Sequence, residues 1–227
     1  MPCYSAKVHF PTMRAILLDA INIIGRGDKF SIAEDIGNSD IAGSRSALFA
    51  AFVRSTADTL VFIDDDVFWE PGALIQLIDY PVDVVGGIYP KKQEPFEWPF
   101  KIGIREEYRN DPETGLMEVL GLPGGFMKIS RNCAQKMIEA YPRQTLRSTS
   151  ENSQFWPLFD PYEMPDGNRL SEDFSFCQRW VDIGGKVWAN LEFELGHIGY
   201  KTFKGSCGKH LRDQQRTQKA KENYKIK

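Results

Sequence analysis

The feature that most constrains this chain is Val61-Phe62-Ile63-Asp64-Asp65-Asp66-Val67, an apolar run that delivers three consecutive carboxylates to one point. Residues 59–63, β-branched and aromatic with few polar members, read as a buried strand, so the acids emerge at its carboxyl end. In an open α/β sheet, ligands bind at that edge. Carboxylates crowded in this way repel one another and need a counter-charge. Hard oxygen donors suit Mg²⁺ or Mn²⁺, which takes one or two protein carboxylates together with substrate phosphates. The stretch points to a metal-held phosphate ester.

The residues around it predict alternating strands and helices. Apolar side chains at Met13, Ile16, Leu17, Ala20, Ile21 and Ile24 give a helix over 10–24, stopped by Gly25 and Gly27. A strand over 29–33, a polar loop over 34–39 and a helix over 41–55 follow. After the acidic turn, Glu70-Pro71 opens another helix, with Pro tolerated in its first turn. Residues 82–89 form a further apolar strand. The order β-α-β-α-β-α-β predicts a largely parallel sheet with right-handed crossovers. Residues 1–5 look like the loop after a strand that is either clipped or upstream.

The second half is less regular. Segments 90–99 and 106–115, rich in Pro, Glu, Lys and turn residues, predict short antiparallel strands. Residues 120–129 read as a loop feeding a strand, 131–140 as a helix, and 144–153 as a mobile polar loop. Gly124 and Gly125 either let a backbone approach a ligand closely or form a plain bulge.

Composition narrows the partners. The chain has 227 residues, 42% hydrophobic and 26% charged, enough for one domain with a sizeable core. Net charge is −3, with no basic stripe interleaved with aromatics, so nucleic acid is not expected. Residues 209–227 carry seven Lys or Arg against two Asp or Glu, a local +5 that leaves −8 for residues 1–208. This tail is either a solvated, frayed terminus or a peripheral contact with anionic lipid or an acidic acceptor. Cys3, Cys133, Cys177 and Cys207 show no C-x-x-C spacing, which supports neither zinc nor a disulfide framework. Without an apolar stretch near the ~20 residues of a spanning helix, the chain reads as cytoplasmic.

Two further constellations carry chemistry. In residues 170–180, Ser171 is placed to cap a helix whose first turn holds Glu172 and Asp173. Either these acids serve the helix dipole, or one of them is a general base that takes a proton from an attacking hydroxyl. In residues 195–205, His197 stands between Gly196 and Gly199, whose backbone freedom would present an imidazole able to complete a carboxylate metal site. Lys201 and Lys204 either steady a departing diphosphate or are simply solvated.

Taken in order, these motifs resemble the metal-dependent glycosyltransferases of the GT-A fold, close to glycosyltransferase family 2 and small viral and bacterial relatives. The matching features are Pro2-Cys3-Tyr4, Ser44-Arg45-Ser46, the D-x-D within Asp64-Asp65-Asp66, Glu172-Asp173, and Gly196-His197. Over residues 1–205 the resemblance implies a single GT-A domain, with a mostly parallel central sheet flanked by helices and a small antiparallel second sheet. Its nucleotide-binding half would be about 1–90, its acceptor half 91–205, with 206–227 as the tail.

The resemblance implies Mn²⁺ or Mg²⁺ held by Asp66 and His197, with Asp64 near the metal's water shell or the ribose and Asp65 able to share either role. Pro2, Tyr4 and Arg45 would line the nucleotide. Gly124 and Gly125 would face donor sugar or acceptor, and Lys204 the diphosphate. Asp173, beside Glu172, would be the base of an inverting transfer from a nucleotide-sugar such as a UDP-sugar to a saccharide or other hydroxyl acceptor. Neither Asp35 nor Asp40 fits the acid expected to contact uracil. A haloacid dehalogenase phosphatase also uses D-x-D after a buried strand, but on its first strand, and with Thr or Val where Phe68 stands. A non-catalytic sugar-nucleotide-binding module would keep the fold and lose the base. A nucleotidyltransferase would need a Gly-rich phosphate loop near the N-terminus.

Overall fold

The structure, a computed structural model, describes residues 1–100, 111–147 and 152–225. In chain order the described elements are β1 (Pro2–Cys3), α1 (Phe10–Gly25), β2 (Asp35–Ile36), α2 (Ile41–Arg54), β3 (Thr59–Ile63), β4 (Val67–Trp69), α3 (Ala73–Asp79), β5 (Val84–Gly87) and β6 (Met117–Val119). They continue with β7 (Phe126–Ser130), α4 (Arg131–Ala140), β8 (Gln144–Arg147), β9 (Asn152–Phe155), α5 (Glu172–Asp182), β10 (Val187–Asn190), β11 (Leu195–Ile198), β12 (Thr202–Gly205) and α6 (Cys207–Lys225).

The central sheet has the order β3-β7-β5-β10-β6. Side-chain alternation sends each strand's residues to opposite faces, and both faces are covered. Phe62, Val84, Met127, Ile129 and Val187 meet Phe49 of α2, Met137 of α4 and Phe176 of α5 on one side. Ile63, Val85 and Phe126 meet Ile16 and Ile23 of α1 and Leu74 and Leu77 of α3 on the other. The result is a three-layer α/β arrangement in which Phe62 and Ile63 are buried under opposite helix layers, while Thr59, Leu60 and Val61 of the edge strand β3 are only partly buried. A second, antiparallel sheet runs β12-β11-β4. The acidic turn joins the two sheets, since β3 ends at Ile63 and β4 begins at Val67.

The largely parallel sheet is corrected to a mixed one. β10 runs parallel to β5, but β7 is antiparallel to both β3 and β5, and β6 is antiparallel to β10. The β-α-β rhythm of residues 59–87 still makes β3 and β5 co-directional. A strand from the second half of the chain, β7, inserts between them, and local periodicity carries no information about that. Residues 2–3 form a strand rather than a loop, paired in parallel with β2, and the strand expected at 29–33 is absent.

Helix α3 starts at Ala73, later than Glu70-Pro71 predicts, because the chain reverses at Gly72 (φ +96°) and the free N–H groups of Gly72 and Leu74 go to Asp19 of α1. That fully buried carboxylate also accepts from Trp69 Nε1 at 2.8 Å, so one acid ties α1, β4 and α3 together. Residues 90–99 contain no strand, and 106–110 lie outside the described residues. The loop expected at 144–153 is instead the β8–β9 hairpin, with 148–151 outside the description. The basic tail forms helix α6, rooted in the body by buried Cys207. All four cysteines are buried and unpaired. No helix among the described residues is long and apolar enough to cross a membrane.

Candidate functional site

The three acids after β3 diverge, each to its own partners. Asp64 turns inward. Its Oδ1 accepts from Arg45 Nη2 at 2.9 Å, its Oδ2 from the Tyr89 hydroxyl at 3.4 Å, and its N–H donates to Gly125 O at 3.1 Å. Asp65 lies beside the thiol of Cys3, and its carbonyl accepts from His9 N at 3.0 Å. Burial, with the neighbouring Asp66 charge, holds the Asp65 carboxyl above the usual carboxylate range. Asp66 turns outward to the second sheet.

Arg45 is the centre of the inner network. Helix α2 starts at Ile41 under a cap from Asp40, whose carboxylate accepts from Ala42 N at 3.1 Å, and this start sends Arg45 into the protein. Asp40 is thus occupied as a cap, while Asp35 accepts from Asn38 Nδ2. Arg45 is 2% exposed, with Nη1 on Gly124 O at 3.3 Å and Nε facing Glu172 Oε1 at 3.5 Å. The last separation is long, and Nε makes no hydrogen bond there. Burial alone would lower the guanidinium's pKa, but Asp64 and Glu172 outweigh it and raise it, so Arg45 stays charged. In this arrangement Arg45 braces the acids and does not line an open nucleotide cleft.

Gly124 and Gly125 belong to the same network, and their four backbone polar groups all have protein partners. Gly124 N donates to Asp173 Oδ2 at 3.1 Å and Gly125 N to the Tyr89 hydroxyl at 3.0 Å; Gly124 O serves Arg45 and Gly125 O serves Asp64. A Cβ on Gly124 would stand 2.9 Å from Arg45 Cζ, and one on Gly125 would stand 2.5 Å from Asp64 Oδ2 and from the Tyr89 hydroxyl. What requires glycine here is the close approach of the chain's own polar side chains. Neither residue adopts a left-handed backbone.

Glu172 and Asp173 open α5. Ser171 sits at the N-cap but does not cap; its hydroxyl donates to Asp173 Oδ1 at 2.5 Å, and Phe174 N donates to the same oxygen at 2.8 Å. Oδ2 keeps only the bond from Gly124 and so retains accepting capacity. Burial, then the Asp173 charge, raises the Glu172 carboxyl's pKa, with Arg45 opposing.

On the outer side, β11 pairs with β4 so that His197 stands opposite Val67 and Ile198 N donates to Asp66 O at 2.9 Å. This register brings the imidazole beside the carboxylate. His197 Nδ1 lies 2.9 Å from Pro90 O, which can only accept, so Nδ1 carries the proton and Nε2 faces Asp66 Oδ1 at 3.5 Å. With a proton on Nε2 as well, the ring donates to the carboxylate; without it, a lone pair and a carboxylate oxygen face each other and could share a cation. Lys92 supplies one charge by ion-pairing with Asp66 Oδ2. Burial pushes the Asp66 pKa up, but hydrogen bonds from His197 and Lys92 outweigh it and bring it below the usual carboxylate range. The glycines beside His197 make room: Gly196 accommodates the Phe68 ring and Gly199 the stem of Lys92.

The structure therefore brings Arg45, Asp64, Gly124, Gly125, Glu172 and Asp173 into one network and Asp66 and His197 into a neighbouring pair. Pro2 is buried in β1, and Tyr4 is exposed just beyond it. Lys204 is engaged by Glu70 at 2.5 Å and Lys201 by Glu94. Among the described residues no group of three or more His, Cys, Asp or Glu side chains is arranged to enclose a metal. Asp66 and His197 fit an ion that completes its shell from substrate, not one in a protein cage. Sequence reasoning missed Tyr89 and Lys92. Tyr89 ends a predicted strand and reads there as core, and Lys92 lies in a Pro- and Lys-rich loop where one more charge carries no signal.

Comparison with known proteins extends the fold alone. No family model and no curated protein matches the chain. Among solved structures, the crystal structure of A197 from STIV is similar, with a TM-score of 0.54 and 17% identity over 91% of this chain and 88% of that one.

Proposed function

We propose that the chain is a divalent-metal-dependent glycosyltransferase of the GT-A fold, moving a sugar from a nucleoside-diphosphate donor, such as a UDP-sugar, to a hydroxyl of a saccharide or other acceptor. The observation that carries this reading is the Asp66–His197 pair. An imidazole with its Nδ1 proton fixed on a backbone carbonyl, and its other nitrogen turned to a carboxylate at a strand's end, is an arrangement suited to a hard cation with open positions. Asp66 and His197 would hold Mn²⁺ or Mg²⁺, and the bound ion would supply Lewis-acid neutralisation of the diphosphate leaving group.

The chain's own groups do the rest. Arg45 and Tyr89 fix Asp64, so the acidic turn is rigid before any ligand arrives. Asp173, held through Oδ1 by Ser171 and Phe174, offers Oδ2 to the acceptor hydroxyl. As the acceptor oxygen attacks the anomeric carbon, the bond to the diphosphate oxygen breaks and the hydroxyl proton passes to Asp173. Glu172, protonated more readily than an ordinary carboxylate, limits the negative charge beside this base.

Incubation with Mn²⁺ and a panel of UDP- and GDP-sugars tests the reading, which expects release of nucleoside diphosphate. Release of inorganic phosphate from simple phosphomonoesters, independent of nucleotide, would overturn it in favour of a phosphatase. Asp173→Asn should retain donor binding and lower transfer by about 10²–10⁴-fold. Transfer at the normal rate would remove Asp173 as the base, and tight nucleotide binding without turnover by the unaltered chain would mark a binding module.

A further inference from the structure

The loop that carries Lys92 is closed and anchored. Lys91 N donates to Glu97 O at 2.8 Å, the Lys91 ammonium pairs with Glu97 at 2.8 Å, and Lys201 fastens Glu94 to the turn between β11 and β12. Pro90 at its base receives the His197 Nδ1 proton. From this base the Lys92 stem crosses Gly199, where a Cβ would stand 3.1 Å from Lys92 Cδ, and its ammonium reaches Asp66 Oδ2. Asp66 thus presents one oxygen to the imidazole and the other to the ammonium.

We infer that Lys92 is a placeholder cation: it occupies Asp66 in the absence of metal, gives way to a divalent ion, and then binds a phosphate oxygen of the donor's diphosphate. The inference rests on the metal-dependent reading above. The Lys92 side chain is 37% exposed, so its ammonium can move into solvent when a doubly charged competitor binds the carboxylate more strongly. Two cations on one carboxylate repel, so the ammonium leaves when the ion arrives. The anchored loop keeps it within a side chain's length of Asp66, where the negative oxygens of a metal-held diphosphate would lie. A flexible ammonium suits such a role as a point charge for phosphate.

Mn²⁺ binding to the full chain without nucleotide, read by electron paramagnetic resonance of the free ion, is the first arm of the test. Lys92→Met should tighten Mn²⁺ by about three- to tenfold, because the competitor is gone. Lys186→Met removes a charge that pairs with Glu118 outside this loop and should stay within about twofold of the unaltered protein at physiological salt. The second arm is UDP binding by calorimetry at saturating Mn²⁺, where Lys92→Met should weaken UDP by about five- to tenfold. Lys92→Gln repeats both arms with a polar side chain, and thermal melts confirm folding.

Unchanged or weaker Mn²⁺ binding by both Lys92 variants, beside an unaltered protein that binds Mn²⁺, overturns the placeholder role and leaves the metal reading standing. Tighter Mn²⁺ with undiminished UDP affinity overturns the diphosphate role. An unaltered protein that binds neither Mn²⁺ nor UDP overturns the metal reading, and this inference with it.

Discussion

The two sides of the acidic turn differ in kind although adjacent residues build them. On the inner side, Asp64 shares a buried network with Arg45, Tyr89, Gly124, Gly125 and the Glu172–Asp173 pair, in which nearly every donor and acceptor has a protein partner. On the outer side, Asp66 meets only two side chains, His197 at 3.5 Å and Lys92, of which Lys92 is the one that reaches solvent, 37% exposed. The difference separates positioning from availability. The inner acids are held by a fully buried Arg45 that bridges Asp64 and Glu172, whereas the outer acid is paired with a lysine whose side chain is 37% exposed.

Substitutions on the inner side should therefore act on stability. Arg45→Met leaves Asp64 and Glu172 without their buried counter-charge and Gly124 O without its donor, and should lower unfolding free energy by about 3–5 kcal/mol in urea denaturation. A loss below about 1 kcal/mol would show that the network is not what holds the turn. Gly125→Ala drives a Cβ into Asp64 and the Tyr89 hydroxyl, and should lower stability by about 1–3 kcal/mol by the same measurement.

The pH dependence sharpens the contrast. Burial and the Asp173 charge raise the Glu172 pKa in the folded state, so the native protein holds this proton more tightly than the unfolded chain does. The stabilisation is full below the ordinary value of 4.5 and is lost as pH rises through the raised folded value. Subtracting the stability–pH profile of Glu172→Gln from that of the unaltered protein should isolate a decline across this window, and a flat difference would contradict the assignment. On the outer side, Asp66→Ala should cost less than Arg45→Met in the same urea denaturation, because it leaves behind Lys92, whose ammonium can turn to solvent, and not a fully buried charge.

Much of this division was hidden in the sequence, for physical reasons. The apolar run 59–63 and the acids after it marked the position of the turn, and the 3.6-residue periodicity of α1 was plain, because burial of a helix face leaves a local pattern. The place of β7 between β3 and β5 was not legible, since it depends on pairing between distant segments. Arg45 could be singled out as functional, but a lone arginine in a helix gives no sign that it will be buried against two acids. Gly124 and Gly125 signalled a close approach, and only the structure shows that protein side chains make it. Asp19 looked like an ordinary polar residue on α1, yet its three hydrogen bonds start α3 and fix β4, which pairs with β11 to bring His197 to Asp66.

The central claim is that Asp66 and its neighbours hold a metal ion that carries a nucleoside diphosphate. Its most direct test is calorimetric titration of UDP into the protein with Mn²⁺, repeated with chelator and with Asp66→Ala. The account predicts binding that requires Mn²⁺ and falls at least about 100-fold in Asp66→Ala while the variant melts like the unaltered protein. Equal UDP affinity in all three conditions would contradict it.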